Sequence, residues 1–201
     1  MGDDADAVAA NRRALAAELG ATRVVFMRQV HGDDVAVVDA QSPGDVPDVD
    51  ALITDVPRLA VAVLVADCVP VLVAGTRAAA VVHAGRRGVQ SGIVTKTVRA
   101  LRDLDEGPLR AQLGPSICGG CYEVPAAMQD EVAAMAPAAR TSTRAGTPGL
   151  DLRAGLRAQL NAAGVAAVQV SETCTAEDPA YFSYRRDGLT GRFAGVVMID
   201  R

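Results

Sequence analysis

Apolar positions along the chain follow two periods, one near 3.6 and one near 2, and the switch between them falls at glycine, proline and aspartate clusters. Residues 5–19 repeat Ala, Val and Leu at helical spacing among Asn, Arg and Glu. That pattern predicts an amphipathic helix ended by Gly20. Segments 24–30 and 35–38 predict strands, turned at His31-Gly32-Asp33-Asp34. A Pro/Gly/Asp-rich loop is expected over 42–48 and a short strand over 50–54. The run 59–66 is nearly all apolar and rich in valine, as in a strand covered on both faces. Two further strands are expected at 71–74 and 78–82, turned at Gly75-Thr76. Residues 85–88 read as a Gly/Arg loop, and 91–101 as a helix with Ser91 as its N-cap.

In the second half a strand at 109–113 enters a Gly/Cys-rich loop over 114–123. Helices are expected at 125–135 and 150–163, the latter stopped by Gly164. Strands at 167–170 and 193–199 flank a polar, aromatic-bearing loop over 172–192. Residues 140–149 form the most linker-like stretch, but it is short. Strands and helices interleave without an internal repeat or coiled coil, which predicts an α/β (α+β) fold in one unit over 1–201.

Half of the 201 residues are apolar and only 3% aromatic, so the core is built from small branched side chains. A net charge of −4 argues against a general nucleic-acid binder, whose footprint is basic. Lys96 is the single lysine, so almost every cation is an arginine, the residue suited to bidentate phosphate recognition. The acidic start lacks the basic and apolar regions of a signal peptide. The most apolar stretch, 59–74, is broken by Asp67 and Pro70 and falls short of the roughly 18–20 apolar residues that span a bilayer. The expectation is a cytoplasmic protein with no membrane partner. Its four cysteines then read as thiols or metal ligands.

The chemistry concentrates in a few places. The only two histidines, His31 and His83, both close predicted strands, and Cys68 follows the buried run in Ala66-Asp67-Cys68-Val69-Pro70. Imidazole and thiolate together suit zinc, with copper second. Three protein ligands leave a fourth position for water or substrate, and a metal so held lowers the pKa of bound water to about 7. The gaps of 37 and 15 residues between these three match no local zinc motif. Two other readings therefore stand beside it: Cys68 as a nucleophile activated by His83 or His31, and plain hydrogen-bonded or core residues. Asp67 can orient a histidine, handle protons or serve as a buried cap. Cys118-Gly-Gly-Cys121 reads first as a tight loop with one buried cysteine, then as half a zinc site or a redox pair. Cys174 reads as structural or pocket-lining. Arginines gather at Arg86-Arg87 and at Arg185, Arg186 and Arg192, where they can clamp phosphate or pair with carboxylates. The segment 181–188 can line a pocket for a planar ring.

Several of these segments, taken in order, resemble the YfiH/laccase-domain family: Arg28-Gln-Val-His-Gly32, Ala66-Asp-Cys-Val-Pro-Val71, His83-Ala-Gly-Arg-Arg-Gly88, residues 113–124 and Phe182-Ser-Tyr-Arg-Arg-Asp-Gly188. Asp151-Leu-Arg and Thr190-Gly-Arg-Phe-Ala-Gly195 fit as well, so the likeness covers essentially the whole chain. The resemblance implies a compact layered sandwich of mixed β-sheets flanked by helices. It also implies a zinc-dependent purine nucleoside phosphorylase with adenosine deaminase activity, acting on adenosine, inosine and methylthioadenosine. By motif, the zinc ligands would be His31, Cys68 and His83. Arg86 stands where the common H-A-G-W-R-G form has Trp. Members also carry, before the first helix, a Gly/Ser/Arg-rich segment with G-G-V-S and Ser-Leu-Asn elements. The expectation here is a catalytic domain over 1–201 lacking it.

The leading expectation is thus an enzyme for purine nucleosides and phosphate. His31, Cys68, His83 and Asp67 would be catalytic, and Arg87 or Arg185 would hold phosphate. The rivals are a Cys68 hydrolase, a copper oxidoreductase for phenols and a non-catalytic metal-binding fragment. One His2Cys set cannot supply the several copper centres of a true laccase.

Overall fold

Alternation along the central strands decides the architecture, because successive side chains point to opposite sides of a sheet. The computed structural model describes residues 4–200. A six-stranded mixed sheet is built from β2 (Val35–Val37), β4 (Ala51–Thr54), β6 (Val69–Ala74), β7 (Ala79–Ala84), β8 (Arg110–Leu113) and β11 (Ala167–Val170), in the order β11-β8-β6-β7-β4-β2. On one face Ile53, Val71, Val73, Ala80 and Val82 enter a core shared with helices α2 (Arg86–Ser91), α3 (Ile93–Arg102), α4 (Ala126–Met135) and α5 (Leu152–Ala162). On the other face Leu52, Val81 and Leu72 meet a second sheet.

That second sheet has four strands in the order β12-β5-β1-β3, from β1 (Arg23–Met27), β3 (Asp45–Val46), β5 (Leu59–Val65) and β12 (Phe193–Met198). Val61, Val63 and Val65 of β5 point into the space between the sheets. Being covered on both sides is what makes the stretch 59–66 read as continuously apolar. Helix α1 (Ala5–Glu18) lies outside this sheet. Val8, Ala9, Arg12, Leu15 and Ala16 are half-buried and none of its residues is fully so. Its inward stripe is therefore weaker than the sequence pattern suggests. Arg12 stacks on Phe26 at 4.1 Å and pairs with Asp45 at 2.9 Å. The fold is the expected α/β sandwich of mixed sheets flanked by helices. Among the described residues no helix is long and apolar enough to cross a membrane.

Four local expectations are corrected. Residues 85–88 are not a loop: Gly85, in extended conformation, starts α2. Ser91 ends α2 rather than capping the next helix, because Gly92 turns left-handed (φ 74°) and separates α2 from α3. The stretch 140–149 is a hairpin, β9 (Arg140–Ser142) with β10 (Pro148–Leu150). The predicted strand 24–30 stops at Met27, after which the Gln29 side chain takes over the pairing, donating to Leu64 O at 2.7 Å and accepting from Leu64 N at 2.9 Å.

The turn between β6 and β7 is held by one carboxylate. Asp105 accepts from the backbone of Arg77, Ala78 and Gly107 and from the Thr76 hydroxyl. The Arg77 amide first of all, then Gly107, Ala78 and Thr76, outweigh burial and bring its carboxyl down to about 2. An unfolded aspartate titrates near 3.9, so the stability this group supplies is complete above about pH 4 and fades as pH falls toward 2. Asp105→Asn is expected to lose about 2 kcal/mol at pH 7. In urea unfolding, its deficit against the parent should shrink between about pH 4 and pH 3. A deficit that does not change with pH would contradict this role.

Candidate functional site

One end of the six-stranded sheet gathers the predicted residues. In the antiparallel pairing of β6 with β7, Pro70 lies opposite His83, so Cys68 just before β6 meets the last turn of β7. In the pairing of β4 with β7, Ala51 lies opposite Val82, and His83 N donates to Asp50 O at 2.8 Å. Strand β2 runs parallel to β4, with Val35 opposite Ala51, so the turn 31–34 arrives at the same end.

Asp50 organises this corner. It is fully buried, and its carboxylate accepts from the backbone N–H of Val30 (3.1 Å), His31 (3.0 Å) and Gly32 (2.7 Å). It also contacts Nδ1 of His83 at 2.6 Å. Burial alone would raise its pKa. The His83 bond and the Gly32 and Val30 amides lower it further than burial raises it. His31 itself takes a left-handed backbone (φ 59°), a conformation costing about 1–2 kcal/mol that the three amide bonds hold in place. Asp67, next to Cys68, is likewise at positive φ (91°).

The three candidate ligands converge. Their donor atoms all lie within 4.8 Å of one another. His31 Nε2 is 3.8 Å from Cys68 Sγ, and the two imidazoles stand edge to face at 4.6 Å. With Nδ1 of His83 engaged by Asp50, Nε2 is the nitrogen left to coordinate. His83 is 3% exposed, Cys68 half-buried and His31 exposed. Without metal, burial would lower the His83 pKa. Its bonds to Asp50 and Cys68 instead raise it to about 9. Burial would push Cys68 up, and the two histidines draw it down to about 6. Gly85 makes room for this cluster: a Cβ there would sit 3.1 Å from both Cys68 Sγ and His31 Cδ2.

The donor set suits a metal. On tetrahedral zinc, bonds of about 2.0 Å to nitrogen and 2.3 Å to sulfur place those two atoms about 3.5 Å apart, close to the 3.8 Å observed. The cluster opens into a cleft of about 1150 Å³ whose walls include Arg86, Arg87, Tyr122, Tyr184 and Arg185.

Around this centre the other predicted residues divide. Asp67 is 8% exposed, and both carboxylate oxygens are taken, by Thr175 Oγ1 and by the Arg185 amide, each at 2.6 Å. Arg185 donates to Glu123 O at 3.1 Å and lies 5.0 Å over the Tyr122 ring, so its guanidinium is fixed against the wall. Arg87 is exposed on the cleft, and its side chain makes no hydrogen bond or ion pair among the described residues. Arg186 instead ties the 172–192 loop together through the carbonyls of Thr175 and Tyr181. Tyr181 packs against Phe193 at 5.1 Å, leaving Tyr184 as the aromatic of its segment that lines the cleft.

Cys118–Cys121 is the expected tight turn, closed by Cys121 N on Cys118 O at 3.0 Å, but both cysteines are half-buried rather than one being buried. The buried thiol is Cys174, and it joins them. Asp50 and Tyr122 were not singled out in the sequence. The faint signal for Asp50 was an acidic residue opening a strand otherwise filled with apolar residues.

Comparisons with known proteins place the chain in a family and match its fold. A family model described as "Multi-copper polyphenol oxidoreductase laccase" matches residues 1–200. A purine nucleoside phosphorylase from Mycobacterium tuberculosis is 52% identical over 206 residues, covering 100% of this chain and 82% of that protein. One from Streptomyces coelicolor is 53% identical over 208 residues, covering 100% of this chain and 86% of that protein. The crystal structure of YlmD from Geobacillus stearothermophilus superposes with a TM-score of 0.90 at 34% identity, covering 100% of this chain and 83% of that one. YfiH from Bacillus licheniformis superposes at 0.86 and 28% identity, covering 98% and 83%. The chain belongs to the laccase-like YfiH family, several of whose relatives bear the name purine nucleoside phosphorylase.

Proposed function

We propose that this protein is a zinc-dependent purine nucleoside phosphorylase that also deaminates adenosine, with adenosine, inosine and methylthioadenosine as substrates. The observation that carries the reading is the convergence of His31, Cys68 and His83 at the floor of a cleft bordered by free and fixed arginines. Relatives about half identical and named purine nucleoside phosphorylase support the phosphorylase part of it. His31, Cys68 and His83 would hold the metal. When bound, zinc supplies an electrophile for oxygen and a lowered water pKa. A cytoplasmic location matches four free thiols.

In this reading Arg87, unpaired at the rim, binds phosphate, and Arg185, fixed over Tyr122, orients it toward the ribose C1′. The purine leaves as phosphate attacks. Tyr122 keeps its proton, since burial and the neighbouring Cys68 charge raise its pKa against the pull of Arg86 and Arg185. It therefore offers an O–H donor and a ring face. Asp67, with both oxygens already accepting bonds of 2.6 Å, is a positioning residue that anchors Thr175 and Arg185 rather than a mobile proton carrier.

A second reading, a thiol hydrolase, is favoured by the Cys68 pKa of about 6 and the adjacent His31 Nε2. Chelation separates the two, because a thiol nucleophile keeps its activity without metal. Metal analysis of the purified protein separates zinc from the copper that the family description suggests.

Incubated with adenosine and phosphate, the zinc-loaded protein should release free adenine or hypoxanthine and inosine, followed by HPLC. No product from fully zinc-loaded protein would overturn the proposal. Cys68→Ala should lose about one zinc per chain, and its turnover should fall by more than the roughly 10–100-fold typical of an outer-shell substitution. Asp50→Asn keeps all three ligands but removes part of their support. A competing chelator should extract its metal at about 10–100-fold lower affinity. Unchanged affinity would show that Asp50 does not set the site.

A further inference from the structure

Strands β8 and β11 run side by side and parallel, with Leu113 opposite Val170. The segments leaving them therefore stay adjacent: Ser116 bridges to Cys174, and Thr175 N donates to Ser116 O at 3.1 Å. This brings the Cys118-Gly-Gly-Cys121 turn against Cys174 and Glu177. The three sulfurs and a Glu177 oxygen all lie within 4.8 Å of one another. None of these residues belongs to the His31–Cys68–His83 cluster.

We propose that Cys118, Cys121, Cys174 and Glu177 form a second, structural zinc site. Three thiolates and a carboxylate complete a tetrahedron, the closed arrangement of a structural zinc, and thiolates select zinc over magnesium or calcium. The two-residue spacing of Cys118 and Cys121 is the one found in zinc-binding turns. Sulfurs bound to one zinc at about 2.3 Å lie about 3.8 Å apart, so these atoms need move by no more than about an ångström.

Hydrogen-bond donors already face two of the three sulfurs. Cys118 N–H donates to Cys174 Sγ at 3.3 Å, and Arg144 Nη1 donates to Cys121 Sγ at 2.9 Å. Arg144 also pairs with Glu177 at 2.5 Å, offsetting part of the negative charge that three thiolates and a carboxylate leave around a divalent ion. On binding, the thiol protons leave to solvent. The site staples three segments: the 114–123 loop, the β9–β10 hairpin through Arg144, and the 172–192 loop. The first and last carry Ile117, Tyr122, Tyr184 and Arg185 of the cleft, so the second metal holds its walls together without touching the first.

The test is zinc content and cobalt spectroscopy of the full chain. Wild type should hold two zinc ions, and Cys68→Ala and Cys174→Ser about one each. Cys118→Ser, at a half-buried position, repeats the measurement should Cys174→Ser not fold. Cys68→Ala refilled with Co(II) should show sulfur-to-cobalt charge-transfer bands, since its remaining thiols are those of the second site. Zinc content unchanged by Cys174→Ser and Cys118→Ser would overturn the proposal. So would absent cobalt bands in Cys68→Ala, or an intact mass showing a disulfide among these cysteines in zinc-free protein isolated without oxidant. A protein that passes this test but fails to turn over nucleosides would leave the second site standing and the proposed function refuted.

Discussion

A single buried carboxylate organises the end of this molecule that carries the candidate site. Asp50 stands immediately before β4, and its side chain binds three consecutive amides of the turn that carries His31 and the Nδ1 of His83. A buried charge is costly unless it is fully hydrogen-bonded, and here four contacts satisfy it. It does two things with them. It holds His31 in a left-handed backbone that an unsupported turn would leave. It also directs the free nitrogen of His83 toward Cys68, as carboxylates behind metal-bound histidines do.

The sheet explains why the three candidate ligands can be so far apart in sequence. Register alone places the start of β6, the end of β7, the start of β4 and the approach to β2 at one edge. Packing on both faces keeps those strands rigid, so His31, Cys68 and His83 inherit their position from the core rather than from the loops. The segments beyond the strand ends supply the rest of the cleft: Arg86 and Arg87 of α2, Tyr122, Arg185, and an Asp67 that holds the 172–192 loop through Thr175 and the Arg185 amide.

Much of this was legible in the sequence. The strands were read from valine-rich runs, and the fully apolar 59–66 correctly marked a strand between two layers. His31, Cys68 and His83 stood out because they are rare residue types at strand ends. What was not legible depends on long-range pairing. Asp50 looks like any acidic residue before a strand until β4 lies beside β7. The Gly85–Gly88 stretch looked like a loop because two glycines outweigh two arginines in propensity, while packing of Val89 into the core makes it helical. Cys174 meets Cys118 and Cys121 only because β8 and β11 run parallel. Their meeting could not be inferred from a spacing of more than fifty residues.

The central claim is that Asp50 arranges His31, Cys68 and His83 as three ligands of one metal. A zinc-edge anomalous difference map from crystals of zinc-loaded protein tests it most directly. The account predicts a peak bounded by His31 Nε2, Cys68 Sγ and His83 Nε2, with Asp50 on His83 Nδ1. A zinc-loaded crystal with no peak there, or with His83 turned so that Nδ1 faces Cys68, would contradict it.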